Sequence, residues 1–100
     1  MTYRLIIRPE TEQDLIDAFE WYEDEEIGVG TEFLHAFEDA LQHISANPFA
    51  YQITIGSTRR RILERFPYSI FFTVVGESII VTACVHHRRH PHVWLSRPRN

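Results

Sequence analysis

The chain has 100 residues, of which 44% are apolar and 24% are charged, and these proportions are typical of a globular domain. We therefore predict one domain over residues 1–100. Cys84 is the only cysteine, which excludes an intramolecular disulfide, and its apolar surroundings predict a buried, unreactive thiol. No apolar run is long enough to span a membrane and the first residues do not resemble a signal peptide, so we expect a cytoplasmic protein that does not bind membranes.

Charge is divided unequally between the two halves of the chain. Residues 1–50 contain 12 carboxylates and 2 arginines, whereas residues 51–100 contain 2 carboxylates and 8 arginines. This asymmetry favours a polyanion or an acidic partner that meets the second half. The alternative is a solvated acidic helical surface and a few arginines without a partner. Every basic residue is arginine, so no mechanism in this protein can use lysine.

The first half predicts one strand and two helices. Residues 3–8 form the strand, which Pro9 ends, and Thr11 is the expected N-cap of a helix that runs to about residue 26. Gly28 and Gly30 are expected to break the chain before a second helix over residues 31–46. So short a connection predicts an antiparallel helical hairpin.

The second half predicts a loop at 48–57 and then three strands, over residues 59–66, 68–74 and 78–86, with Gly76 in the last turn. The predicted fold is α+β, in the order β-α-α-β-β-β, with the helical hairpin on one face of a mostly antiparallel four-stranded sheet. The edge that the first strand joins stays open. In the core we expect Phe37, Leu41 and Ile44 to pack against Ile70, Phe72 and either Ile80 or Thr82.

Two segments of the second half carry a family resemblance. Residues 60–72, RRILERFPYSIFF, resemble the pattern R-x-L-x-x-F-P-Y-x-I-x-Y of ParE-like plasmid-stabilisation toxins. Residues 85–94, VHHRRHPHVW, resemble their closing pattern V-x-H-x-x-R-x-P-x-x-W. The strand-to-helix segment at residues 7–10 and the end of the second helix at residues 47–48 are also similar to these toxins. The chain thus resembles the RelE/ParE toxin superfamily over nearly its whole length.

The resemblance implies the toxin of a type II toxin–antitoxin system, which arrests growth and is neutralised by a cognate antitoxin. ParE-like members are associated with DNA gyrase, whereas RelE-like relatives cut mRNA on the ribosome. The usual RelE-like catalytic set includes lysines and a C-terminal tyrosine, but this chain has no lysine and no tyrosine after Tyr68. We therefore predict ParE-like poisoning of gyrase, with a ribosome-dependent endoribonuclease that uses histidine and arginine as the alternative. A former toxin that only binds its antitoxin is a third reading.

Metal-independent RNA cleavage needs a base, an acid and cations for the phosphorane, and the candidates are His86, His87, Arg65 and Arg89. Neighbouring strand residues point to opposite faces, so at most one of the two histidines can belong to any one site. Alternatively, His86 bonds to backbone at the strand end while the arginines meet carboxylates, or the same residues bind a partner without chemistry.

A partner surface is predicted on the sheet. Alternation along a strand puts Arg59, Arg61 and Arg65 on one face, which we expect to be the face opposite the core. The predicted partner-binding residues are Arg59, Arg61, Arg65, Arg88, Arg89 and Trp94. The alternative is a solvated face, or pairing with Glu64. Four histidines at 86, 87, 90 and 92 have no cysteine or carboxylate near them, so we predict no metal site and no cofactor.

Overall fold

The computed structural model describes residues 2–89 of the chain. Its elements are β1 (Arg4–Ile7), α1 (Pro9–Glu25), α2 (Val29–Ala46), a 3-10 turn (Pro48–Ala50), β2 (Gln52–Ile55), β3 (Thr58–Ile62), β4 (Tyr68–Val75) and β5 (Ser78–His86). The strands form one sheet in the order β1-β5-β4-β3-β2, in which β1 runs parallel to β5 and the other pairs are antiparallel. The predicted α+β class, helical hairpin and mostly antiparallel sheet are confirmed.

The predicted number of strands was wrong, because the sheet has five strands instead of four. The additional strand is β2, which lies within the segment 48–57 that the sequence pattern assigned to a loop. It is only four residues long and occupies the sheet edge, where it pairs with β3 through an irregular register. The strand lies between Pro48 and Gly56, residue types that are typical of loops, and they led the whole segment to be assigned to a loop.

Helix α1 begins at Pro9, earlier than predicted, and proline suits this first helical position because its missing N–H needs no partner there. Thr11 therefore lies inside the helix and does not cap it. Its side chain is fully buried, and its hydroxyl donates a hydrogen bond to the carbonyl of Val81 in β5 at 3.0 Å. Thr11, which was expected to cap the helix, instead connects the helix to the sheet through this hydrogen bond.

The turn between the helices is organised by one carboxylate. Glu23 accepts hydrogen bonds from the backbone N–H groups of Gly28 and Gly30, each at 3.0 Å. Gly28 has a φ of 96°, a conformation that glycine adopts without strain. Gly30 belongs to the first turn of α2 instead of preceding it, and a Cβ there would lie 2.8 Å from the backbone oxygen of Phe19. Gly28 is therefore required by the turn conformation, and Gly30 by the close approach of the two helices.

The core lies between the helical hairpin and one face of the sheet, which we call the helix-side face. As predicted, Phe37, Leu41 and Ile44 share a buried cluster with Ile70 and Phe72. The predicted contribution of β5 was wrong, because the cluster contains Ile79, Val81 and Cys84 in place of Ile80 and Thr82. An irregularity in the β4–β5 pairing at Phe71 and Phe72 returns Cys84 to the helix side. Because most residues of β5 are apolar on both faces, alternation alone could not decide which of them face the helices.

The other face of the sheet, which we call the open face, has a smaller apolar cluster formed by Phe71, Ala83 and Val85. Arg60 of β3 is paired across the strands with Phe71, so its side chain also belongs to the open face. The two faces thus bring different basic residues to the surface.

Candidate functional site

The segment that follows β5 forms a tight turn. The backbone N–H of Arg89 donates to the carbonyl of His86 at 3.0 Å, and the N–H of Arg88 donates to Nδ1 of His86, also at 3.0 Å. The N–H of His87 donates to the carbonyl of Pro67 at 2.9 Å, which attaches the turn to the junction of β3 and β4. The predicted alternative that His86 bonds to backbone at the end of the strand is confirmed.

The two adjacent histidines lie on opposite sides of the sheet, as strand geometry requires. The ring of His86 packs edge-on against Tyr68, with centroids 5.2 Å apart, on the helix side. Nε2 of His87 is hydrogen-bonded to the hydroxyl of Ser69 at 3.0 Å, and Ser69 faces the open side. Burial raises the pKa of Tyr68 to about 12, and nearby Tyr22 adds to this effect, so the phenol stays neutral at physiological pH.

Asp14 connects α1 to the end of β5. One carboxylate oxygen accepts a hydrogen bond from the backbone N–H of Cys84 at 3.0 Å, and the other is 3.3 Å from Nη1 of Arg89. The carboxylate is almost wholly buried, whereas 37% of the Arg89 side chain is exposed. Asp14 therefore fixes the position of Arg89, whose side chain is still partly exposed.

Cys84 is buried and unreactive, as predicted. Only 1% of the residue is exposed. Burial raises the pKa of its thiol, and the nearby carboxylate of Asp14 raises it further. A thiol that stays protonated and hidden cannot serve as a nucleophile.

A cavity of about 280 Å³ lies on the open face, beside the turn. Among its lining residues are two arginines, a histidine, a serine and two apolar side chains: Arg60, Arg89, His87, Ser69, Phe71 and Val85. No carboxylate is among the described residues that line it. The cavity, which we call the open-face pocket, therefore combines positive charge with an apolar wall.

Arg59 and Arg61 were predicted to lie on the sheet face opposite the core, and this was wrong because both lie on the helix-side face. Arg61 pairs across the strands with Ile70 of the core, and it lines a groove against α2 on the helix side. The prediction failed because it extended strand alternation to residue 66. β3 ends at Ile62, and Arg65 has a φ of 71°, so the alternation does not continue to Phe66.

The guanidinium of Arg59 contacts neighbouring residues of the protein itself. Its Nη1 donates to the carbonyl of Tyr51 at 2.7 Å, and its guanidinium carbon lies 5.2 Å from the centre of the Phe49 ring. These contacts hold the segment between α2 and β2 against the sheet.

The groove between α2 and β3 has a volume of about 350 Å³ and is lined by both arginines and carboxylates. Arg61 and Arg65 contribute the positive charge, and Glu32, Asp39 and Glu64 contribute the negative charge. Nη2 of Arg65 is 3.3 Å from Glu32 in an exposed ion pair. Nε of Arg61 is buried and has no hydrogen-bond partner among residues 2–89. We call this surface the α2–β3 groove.

The predicted residues are thus divided between separate places. His87 and Arg89 meet in the open-face pocket, whereas Arg61 and Arg65 line the α2–β3 groove. The side chain of Arg88 is exposed in the turn. Trp94 and its proposed role as an anchor lie outside the described residues.

Three residues of these sites were missed by the sequence analysis: Asp14, Arg60 and Ser69. Asp14 carried no signal in the sequence, because its hydrogen-bond partner Cys84 is 70 positions away in the chain. Arg60 was assigned to the core face because of the same misplaced alternation. Ser69 lies within the motif at residues 60–72, but a single serine there carried no signal of its contact with His87.

Within the described part of the chain, no three histidine, cysteine or acidic side chains are arranged to hold a metal ion. Neither α1 nor α2 is long and apolar enough to cross a bilayer.

Comparison with known proteins assigns the family. The profile of the family described as "ParE toxin of type II toxin-antitoxin system, parDE" matches residues 5–91. A search of curated proteins gives no significant match. A solved structure titled "Chromosomal ParDE TA system from P. aeruginosa" contains a chain with a TM-score of 0.76 and 16% identity, over 85% of this chain and 96% of that one. The structural match supports the fold, and the profile covers most of the sequence. The chain belongs to the ParE toxin family of type II toxin–antitoxin systems.

Proposed function

We propose that this protein is a toxin that arrests growth by poisoning DNA gyrase, acts in the cytoplasm, and is held inactive by a cognate antitoxin. The observation that carries the proposal is the match of the ParE toxin family to residues 5–91. In this proposal toxicity depends on contact with the target and not on proton transfer by the toxin.

The distribution of the candidate catalytic residues supports a role without chemistry. Arg65 lines the α2–β3 groove and pairs with Glu32, so it is separated from the open-face pocket. His86 stacks against Tyr68 on the helix side, and its Nδ1 already accepts a backbone hydrogen bond. His86, His87 and Arg89 all line the open-face pocket, but Arg65 is separate from it and the ring of His86 is engaged on the helix side, so the four candidates do not act at one point.

A ribosome-dependent endoribonuclease is the second candidate, and one observation favours it. His87, Arg60 and Arg89 line the same cavity; His86 lines it too, but its ring packs against Tyr68 on the helix side, so the ring of His87 is the titratable group that faces the cavity. Such a group could act as a general base only with a separate acid for the leaving oxygen.

Two assays with the purified protein distinguish these candidates. We expect the protein to stop gyrase from supercoiling relaxed plasmid DNA, and the antitoxin to restore supercoiling. We also expect ribosome-bound mRNA to remain intact. Unimpaired gyrase together with cleaved mRNA would reject gyrase poisoning and establish the second candidate.

The α2–β3 groove is the proposed binding surface for the antitoxin. Its mixture of charges suits a segment that carries both acidic and apolar residues, and the guanidinium groups of Arg61 and Arg65 offer donors to carboxylates. We expect a complex of nanomolar or higher affinity. Because a reversed charge would repel the acidic segment, Arg61→Glu should weaken the complex about 10-fold or more and reduce its salt dependence.

Arg4→Glu is the matched control, because Arg4 is exposed on β1 at the other edge of the sheet. Affinity is measured for both variants at several salt concentrations. If neither Arg61→Glu nor Arg65→Glu weakens the complex more than Arg4→Glu does, the groove is not the antitoxin site.

A further inference from the structure

The open-face pocket is distinguished from the α2–β3 groove by its charge. Three acidic residues share the groove with Arg61 and Arg65, whereas no carboxylate is among the described residues that line the pocket. Of the two arginines in its lining, Arg89 is paired with Asp14, which lies outside the lining, and Arg60 has no ion pair among residues 2–89. A cavity lined by more cationic than acidic side chains attracts anions. The pocket therefore has the electrostatic character of an anion site.

Arg60 is the least constrained of these cations. It is half-buried on the open face, and no ion pair or hydrogen bond of its guanidinium is found among residues 2–89. Arg59 and Arg61, its neighbours in β3, contact the rings of Phe49 and Tyr51 on the helix side. The guanidinium of Arg60 thus remains available for a ligand.

Arg89 and His87 are held in position by other residues. Nη1 of Arg89 is 3.3 Å from a carboxylate oxygen of Asp14, and this contact positions the guanidinium. The hydroxyl of Ser69, in a residue that is only 2% exposed, fixes the orientation of the His87 ring. Side chains that are oriented before binding lose less conformational entropy when a ligand arrives.

We propose that the open-face pocket binds a phosphate group through Arg60, Arg89 and His87. Two planar guanidinium groups fit the charge and the several acceptor oxygens of a phosphate better than those of a single carboxylate. The cavity of about 280 Å³ also has room for a small group attached to the phosphate. The phosphate can belong to a free nucleotide or to a nucleic-acid backbone. This binding does not depend on whether the toxin's target is gyrase or the ribosome.

The test is calorimetric titration of the full chain at constant ionic strength. The probes are inorganic phosphate, adenosine 5′-monophosphate and a thymidine tetranucleotide without terminal phosphates. We expect saturable binding of at least one probe, and Arg60→Gln should weaken it about 10-fold or more because a charged hydrogen-bond donor is lost. Stronger binding of the monophosphate identifies a free nucleotide as the ligand, and stronger binding of the tetranucleotide identifies a backbone phosphate.

Arg4→Gln is the control variant, since it removes the same charge from the far edge of the sheet and should leave binding unchanged. Arg60→Gln breaks no described contact, so its effect should not arise from loss of folding, and a thermal melt of each variant checks this. The proposal is rejected if no probe binds, or if Arg60→Gln and Arg4→Gln behave alike. It is also rejected if a glutamate-rich peptide binds as tightly as the phosphate probes, which would identify an acidic-peptide site.

The titrations contain neither gyrase nor ribosomes. If no phosphate probe binds, the result of the gyrase assay is not affected. If the protein does not poison gyrase, the titration result remains valid.

Discussion

Two arginine–carboxylate pairs in this protein have the same separation and very different surroundings. Arg89 and Asp14 are 3.3 Å apart, as are Arg65 and Glu32. The side chain of Asp14 is 5% exposed, whereas those of Arg65 and Glu32 are 67% and 45% exposed. Asp14 also accepts a backbone hydrogen bond from Cys84.

The difference shows that distance alone does not determine what an ion pair contributes. Water screens and competes for the exposed pair, whose contribution to stability is small. Water cannot compete for the partners of the Asp14 carboxylate unless the junction of α1 and β5 opens. We infer that the buried pair serves the fold, and that the exposed pair leaves Arg65 free to exchange Glu32 for a partner's carboxylate.

The largest expected effect is that of Asp14→Ala. It leaves the N–H of Cys84 without this acceptor and removes the counter-charge of Arg89, so the free energy of unfolding should fall by about 3 kcal/mol. Chemical denaturation measures the loss. Asp14→Asn keeps an acceptor oxygen and should lose less, whereas equal losses in the two variants would show that the charge alone matters.

Thr11→Val examines the same junction by a smaller change. Valine preserves the shape, and the carbonyl of Val81 keeps a second hydrogen bond, from the N–H of Arg8 at 3.1 Å. We expect the free energy of unfolding to fall by about 1 kcal/mol, the contribution of one buried hydrogen bond. A loss as large as that of Asp14→Ala would mean that Thr11, and not Asp14, is the main connection between α1 and β5.

Glu32→Gln should have the smallest effect. The exposed pair and the position of Glu32 in the first turn of α2 together contribute no more than about 1 kcal/mol to the free energy of unfolding. A double-mutant cycle with Arg65 measures the pair itself. A coupling energy equal to that of Asp14 and Arg89 would contradict the distinction between the two regions.

The sequence predicted what depends on local periodicity. Both helices, the turn at Gly76 and the core contribution of α2 followed from residue spacing, and Cys84 was correctly expected to be buried. The errors arose where long-range pairing decides the outcome. β2 is recognisable only by its pairing with β3. Which residues of β5 point toward the helices depends on an irregularity in its pairing with β4.

The candidate site was predictable only in its composition. His86, His87 and Arg89 were named as candidates from the sequence, and all three line the open-face pocket. Their neighbours Arg60 and Ser69 come from β3 and β4. No spacing rule along the chain connects residues that the sheet brings together from three strands.

The central claim, that toxicity depends on contact and not on proton transfer, is tested most directly with His87→Gln. The variant is expressed without antitoxin, growth is followed, and a thermal melt confirms that it is folded. His86→Gln provides the matched control on the other side of the sheet. We expect both variants to arrest growth as the unchanged protein does. If folded His87→Gln is harmless, and it cuts ribosome-bound mRNA about 10²–10⁴-fold more slowly than the unchanged protein, the toxin is an enzyme and the claim is wrong.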